Sequence, residues 1–170
     1  NSQSGSAVSA GSTTSGGVVA LAPVEPTRAG YVFTGWFTAT GGGTAITFPY
    51  THSQTTSFTL YAQWTISTYA VSFNGNGSTG GSVPANQTKT HGIDVSVSSN
   101  SGSLVKTGYT FGGWNTAANG SGTSYAASAT YGVDAAVTLY AKWTADSLTV
   151  TYNSQSGSAV SAGSTTSGGV

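Results

Sequence analysis

The chain has no cysteine and no methionine among its 170 residues. No disulfide can staple it, and neither a thiolate metal site nor a cysteine nucleophile can exist. Charge is scarce as well: 5% of residues are charged, against roughly 25% in ordinary soluble domains. The cations are Arg28, Lys89, Lys106 and Lys142, the anions are Glu25, Asp94, Asp134 and Asp146, and the net charge is zero. That balance leaves no electrostatic footprint for nucleic acid or anionic lipid. No apolar run approaches the ~20 residues of a membrane helix, so no membrane insertion is expected of this segment. Good helix formers are few and no stretch keeps a 3.6-residue period. Disorder is also excluded: disordered chains lack aromatics, whereas 11% of this chain is aromatic.

What is present is repetition. NSQSGSAVSAGSTTSGGV, residues 1–18, recurs unchanged as residues 153–170, an offset of 152. A more diverged repeat lies inside it. GYVFTGW (30–36) is echoed by GYTFGGW (108–114), and LYAQWT (60–65) by LYAKWT (139–144), at offsets of 78 and 79. AVSFNGNG (70–77) matches TVTYNSQS (149–156) at an offset of 79. Copied units argue for a protein that works by length and number.

The strand signals follow this frame. Residues 69–73 and 148–152 alternate and run into Asn-Gly or Asn-Ser turn sequence. Residues 58–64 put Leu60, Ala62 and Trp64 on one face, and 137–143 do the same with Leu139, Ala141 and Trp143. Residues 31–37 and 109–114 are strand-like, with Gly35 and Gly112-Gly113 as bulge points. Shorter strands are expected at 18–21 and 93–97. Tyr31, Phe33, Trp36, Phe37, Phe48, Leu60 and Trp64 are expected to form the core of the first unit. The reading is mainly β: tandem small domains with little or no helix, arranged end to end as a rod. Domain A spans 1–68, domain B 69–147, and 148–170 open a further copy of A. Domain A is expected to lack its first strand, because a Val-Thr-Tyr strand precedes the second occurrence of NSQSG and none precedes the first. Only Thr65-Ile66-Ser67-Thr68 and Thr144-Ala145-Asp146-Ser147 join the units, a length that suits a semi-rigid rod.

At these residues the chain resembles the Listeria–Bacteroides repeat family, the B-repeat of internalin-type surface proteins. The carrying residues are Pro26-Thr27-Arg28-Ala29-Gly30-Tyr31-Val32-Phe33-Thr34-Gly35-Trp36 with Leu60-Tyr61-Ala62-Gln63-Trp64. In the second unit they are Lys106-Thr107-Gly108-Tyr109-Thr110-Phe111-Gly112-Gly113-Trp114 with Leu139-Tyr140-Ala141-Lys142-Trp143. The second unit lacks the family's proline, and Ser103 stands near its place. The resemblance implies a β-grasp-like domain that occurs in tandem on bacterial surface and secreted proteins, with no catalytic activity and no cofactor.

Candidate chemistry is sparse. His52 and His91 occupy unrelated positions in their units and are read as surface-loop residues; a triad of His52, Glu25 and a serine lacks support. Calcium needs several carboxylates together, and Glu25 is the only acid in the first unit. A lysine isopeptide is conceivable only in the second unit, where Lys89, Lys106 and Lys142 accompany Asp94 and Asp134. The four tryptophans belong to the repeated frame and are read as core. Tyr50, Tyr125 and Tyr131 lie outside it and are the candidates for exposed binding contacts. The expected function is therefore an extracellular stalk or filament segment of a bacterium. Its partners would be neighbouring repeats and, through lateral self-association, other fibres. An adhesin-type module for a glycan or protein is the alternative.

Overall fold

The computed structural model describes residues 1–158 and 163–166. Every regular element among them is a strand. The chain divides into two compact units, Asn1–Thr68 and Tyr69–Val170.

In the first unit, β1 (Val18–Val19) pairs with β4 (Tyr50–Thr51), and a three-stranded sheet has the order β3 (Ala45–Ile46), β2 (Tyr31–Phe37), β5 (Tyr61–Ile66). In the second, a five-stranded sheet has the order β10 (Ser124–Tyr125), β9 (Tyr109–Asn115), β12 (Val137–Ala145), β6 (Thr68–Asn74), β7 (Gln87–Thr90). Alongside it β8 (Val95–Ser96) pairs with β11 (Thr130–Tyr131), and β13 (Ser147–Val150) pairs with β14 (Gly163–Thr166). Most pairs are antiparallel, but β12 and β6 run parallel, Val137 opposite Val71 through Tyr140 opposite Asn74.

The local devices repeat. Each GY turn is closed by a backbone bond, Tyr31 N–H to Arg28 O at 3.1 Å and Tyr109 N–H to Lys106 O at 2.9 Å. Gly30 and Gly108, both with φ of 77°, supply the left-handed residue such a turn needs. The cation of each turn lies over its tyrosine, Arg28 3.7 Å from the Tyr31 ring and Lys106 4.5 Å from the Tyr109 ring. The expected bulges are present: the β2–β5 register shifts at Gly35, and the β9–β12 register shifts beside Gly112-Gly113. The place of Pro26, which is buried, is taken in the second unit by Leu104, not by Ser103.

Packing separates the units. In the second, Val71, Phe73, Val97, Leu104, Trp114, Tyr131, Leu139 and Ala141 form one buried cluster. Phe73 stacks on Trp114 at 4.7 Å, and the Trp114 N–H donates to Ser98 O at 2.8 Å. In the first unit the buried apolar residues are Trp36 and Ala62. Tyr31, Phe33, Phe37, Phe48, Leu60 and Trp64, expected as core, are only half-buried. The strand expected from residue 58 begins at Tyr61, whereas its counterpart β12 begins at Val137. The reason is pairing: residues 137–140 are held against β6, and nothing described lies against 58–60 in that way.

Candidate functional site

The feature that distinguishes the first unit is the outer edge of β5 and the apolar groove beside it. Val8, Val19, Trp36, Phe48, Phe58 and Leu60 line a space of about 1160 Å³. The corresponding space in the second unit is filled by Val71 and Phe73 of β6. Val19, Trp36 and Leu60 stand where Val97, Trp114 and Leu139 are fully buried. Trp36 is 5% exposed and its indole Nε1 has no hydrogen-bond partner among the described residues. A buried donor left unpaired costs free energy on the order of 1–3 kcal/mol.

The edge is not bare along its whole length. The Asn1 amino group donates to Leu60 O at 2.7 Å, and Ala62 N–H donates to Asn1 O at 2.9 Å. These two bonds make a parallel rung between Asn1 and Tyr61, the counterpart of Asn74 opposite Tyr140. The turn that follows is the same in all three places where it occurs. The side-chain oxygen of Asn1 accepts from Gln3 N–H, that of Asn74 from Asn76 N–H, and that of Asn153 from Gln155 N–H, at 3.0, 2.8 and 2.9 Å. The turn also anchors the closing tryptophan: Trp64 Nε1–H donates to Ser2 O and Trp143 Nε1–H to Gly75 O, both at 3.1 Å.

The groove's floor includes His52, which is 6% exposed and corrects the expectation of a surface histidine. Its Nδ1 accepts from Gln54 N–H and its Nε2 faces the Thr13 hydroxyl, both at 3.2 Å. Both ring nitrogens are engaged, so a hydrolytic triad with Glu25 has no geometry here. The Phe58 ring packs on the imidazole at 4.7 Å.

The three tyrosines singled out from the sequence are not brought together. Tyr50 is half-buried on β4, with its ring 6.4 Å from Phe58. Tyr125 is half-buried on β10, 5.6 Å from Tyr131. Tyr131 is 3% exposed and belongs to the core, with its hydroxyl donating to Ala135 O, so it is not an exposed contact. Burial, with Tyr125 alongside, pushes its phenol up, against a smaller opposing pull from Lys89.

The second unit holds the densest set of charges. Lys89 is fully buried, and its Nζ donates to Asp134 Oδ1 at 2.6 Å and to Thr90 O at 2.9 Å. His91 Nδ1 lies 2.9 Å from Asp134 Oδ2, and Gly92 N–H reaches both carboxylate oxygens. The Lys89 hydrogen bond, followed by that of Gly92, holds the Asp134 carboxyl below the usual carboxylate range. Amide formation would require the acid to be protonated and the amine neutral. The geometry stabilises the opposite pair of states, so this is an ion pair that satisfies a buried ammonium. Of the other lysines, Lys142 approaches the Ser124 hydroxyl at 3.4 Å, and Lys106 lies over Tyr109.

The chain is 41% identical over 142 residues to a protein named "Putative Gly-rich membrane protein" from Evansella cellulosilytica, covering 79% of this chain and 16% of that one. It is 35% identical over 122 residues to Internalin H of Listeria monocytogenes, covering 72% of this chain and 21% of that one. It thus spans about a fifth or less of the curated relatives it matches. No solved structure matches it. No helix among the described residues is long and apolar enough to cross a membrane. Two matches to one family model, over residues 1–63 and 69–142, establish that the chain belongs to the Listeria-Bacteroides repeat domain family.

Proposed function

We propose that this chain is a structural segment of a bacterial extracellular stalk or filament, in which β-grasp-like units stand end to end as a spacer and carry load rather than catalyse. The observation that carries the reading is the junction. β5 ends at Ile66 and β6 begins at Thr68; β12 ends at Ala145 and β13 begins at Ser147. Each junction is therefore a single residue, shorter than the four-residue linker expected. Each is tied back to its preceding unit, Ser67 N–H to Gly30 O at 2.9 Å and Asp146 N–H to Gly108 O at 3.0 Å. A further bond from the Thr110 hydroxyl to Asp146 Oδ1, 2.7 Å long, fixes the second. A tension applied along the chain passes from strand to strand without a slack loop.

Other features support it. The copied 18-residue segment implies growth by duplication. A net charge of zero leaves little self-repulsion, which favours lateral association between fibres. An Internalin H among the relatives supports a surface location. The adhesin alternative has weaker support, since Tyr131 is core and Tyr50 and Tyr125 sit at non-equivalent positions. The test is solution scattering on chains of one, two and four 152-residue repeats. Maximum dimension should grow in proportion to copy number, and compact particles of nearly constant dimension would refute the proposal.

A further inference from the structure

The groove beside β5 is a cast of a strand, and the chain carries that strand elsewhere. In the second unit β6 enters parallel to β12 with Val71, Ser72, Phe73 and Asn74 opposite Val137, Thr138, Leu139 and Tyr140. The offset of 79 carries this register onto the first unit without adjustment. Phe58, Thr59, Leu60 and Tyr61 would face Val150, Thr151, Tyr152 and Asn153. The last of these rungs already exists, because Asn1 sits opposite Tyr61 and residues 1–18 are identical to 153–170.

The strand itself is in the complementary state. β13 is exposed at all four of its residues, with Leu148 at 52% and Val150 at 39%, and Tyr152 beyond it is 57% exposed. Val150 and Tyr152 align with Val71 and Phe73, the two residues of β6 that fill the core. β13 is paired on one side only, with β14. Residues 11–14, identical to β14, form no strand in the first unit and are exposed. One place thus has the acceptor edge and an idle outer segment; the other has the strand and its outer partner. Tyr152 in place of Phe73 also brings a phenolic oxygen to the groove that holds the unpartnered Trp36 N–H.

From this we infer that the β5 edge is a strand-acceptor site, and that its occupant is residues 147–152 of a second copy of this chain, an inference that rests on the tandem-repeat reading. The donor strand adds in parallel to the β5 edge, directs Val150 and Tyr152 onto Trp36 and Leu60, and extends the sheet by main-chain bonds. Donor residues 153–170 can replace acceptor residues 1–18 in the same place, since the two are the same sequence. Donor and acceptor lie at different places in the repeat, so the contact is heterologous and propagates head to tail rather than closing a dimer.

The cysteine-free background allows a direct test of register. Thr59 and Thr151 become neighbours on the outer face of the sheet, within the reach of a disulfide for paired strands. The full chain carrying Thr59→Cys and Thr151→Cys, oxidised at high protein concentration, should give a ladder of dimers, trimers and longer species on a non-reducing denaturing gel. Thr59→Cys with Thr149→Cys, two residues out of register, should give at least tenfold less of it, and either cysteine alone nothing beyond a dimer. Adding Val150→Asp and Tyr152→Asp, at positions already exposed and therefore harmless to folding, should abolish the ladder. No ladder from the in-register pair, an equal ladder out of register, or only a fast-migrating internally linked monomer would overturn the inference. Growth of length with copy number is read without cysteines, so either result can fail while the other stands.

Discussion

The two units carry the same aromatic frame, yet one has a closed core and the other an open one. Trp36 and Trp114 occupy the same place on β2 and β9, and Leu60 and Leu139 the same place before the closing tryptophan. In the second unit Leu139 is fully buried and the Trp114 N–H is paired; in the first Leu60 is half-buried and the Trp36 N–H is not paired. Side-chain identity does not explain the contrast. One strand does, because β6 contributes both the wall over Leu139 and the backbone partner that holds 137–140 extended. A sheet edge without its neighbour leaves apolar surface and main-chain groups unpaired together.

Paired substitutions should expose that contrast. The largest difference is expected between Leu139→Ala and Leu60→Ala. Emptying the buried site should cost about 3 kcal/mol, and trimming the half-buried one about 1 kcal/mol, read as shifts of the denaturation midpoint. Equal costs would mean that the first unit is closed in solution. Supplying the donor strand should bring the two values together.

Next come the bulge glycines. A β-carbon on Gly113, at φ 99°, would meet Tyr125 O at 2.5 Å, while one on Gly35, at φ 134°, meets only the Phe37 ring at 3.6 Å. Gly113→Ala should cost about 3 kcal/mol from strain and overlap combined. Gly35→Ala should cost about 1 kcal/mol from strain alone. Thermal unfolding of each variant checks both values, and a reversal of the order would refute this account of the bulges.

Acid should act on the second unit through Asp134, whose place in the first unit is taken by Thr55. A carboxyl with a lowered folded-state pKa contributes stability above its unfolded value near 4, and that stability is lost as pH falls through the lower folded value. The unfolding midpoint should drop between about pH 4 and more acid conditions, and Asp134→Asn should flatten this part of the profile. The smallest effect is none at all. The intact mass of the folded chain should equal that of the sequence, since Lys89 and Asp134 form an ion pair and not an amide; a loss of water would disprove this.

Much of the fold was legible because its causes are local. Gly35 and Gly112-Gly113 interrupt strands, Gly30 and Gly108 supply left-handed turn residues, and alternation marks residues 69–73. The repeat offsets also exposed the incomplete sheet of domain A. The burial of Tyr131 and His52 was not legible. Each lies at the end of a short strand, and its depth is set by β8 or β1 crossing over it rather than by its own neighbours in sequence.

The identical 18 residues draw the boundary most clearly. The sequence by itself determined the Asn turn, made in the same way at Asn1, Asn74 and Asn153, because its hydrogen bonds are closed within three residues. It did not determine whether Gly-Ser-Thr-Thr becomes a strand. Residues 163–166 form β14 because β13 lies beside them, and residues 11–14 form none because no such strand does. Turn geometry is paid for within the turn, whereas a β-strand exists only with a partner, and only the tertiary structure decides who that partner is.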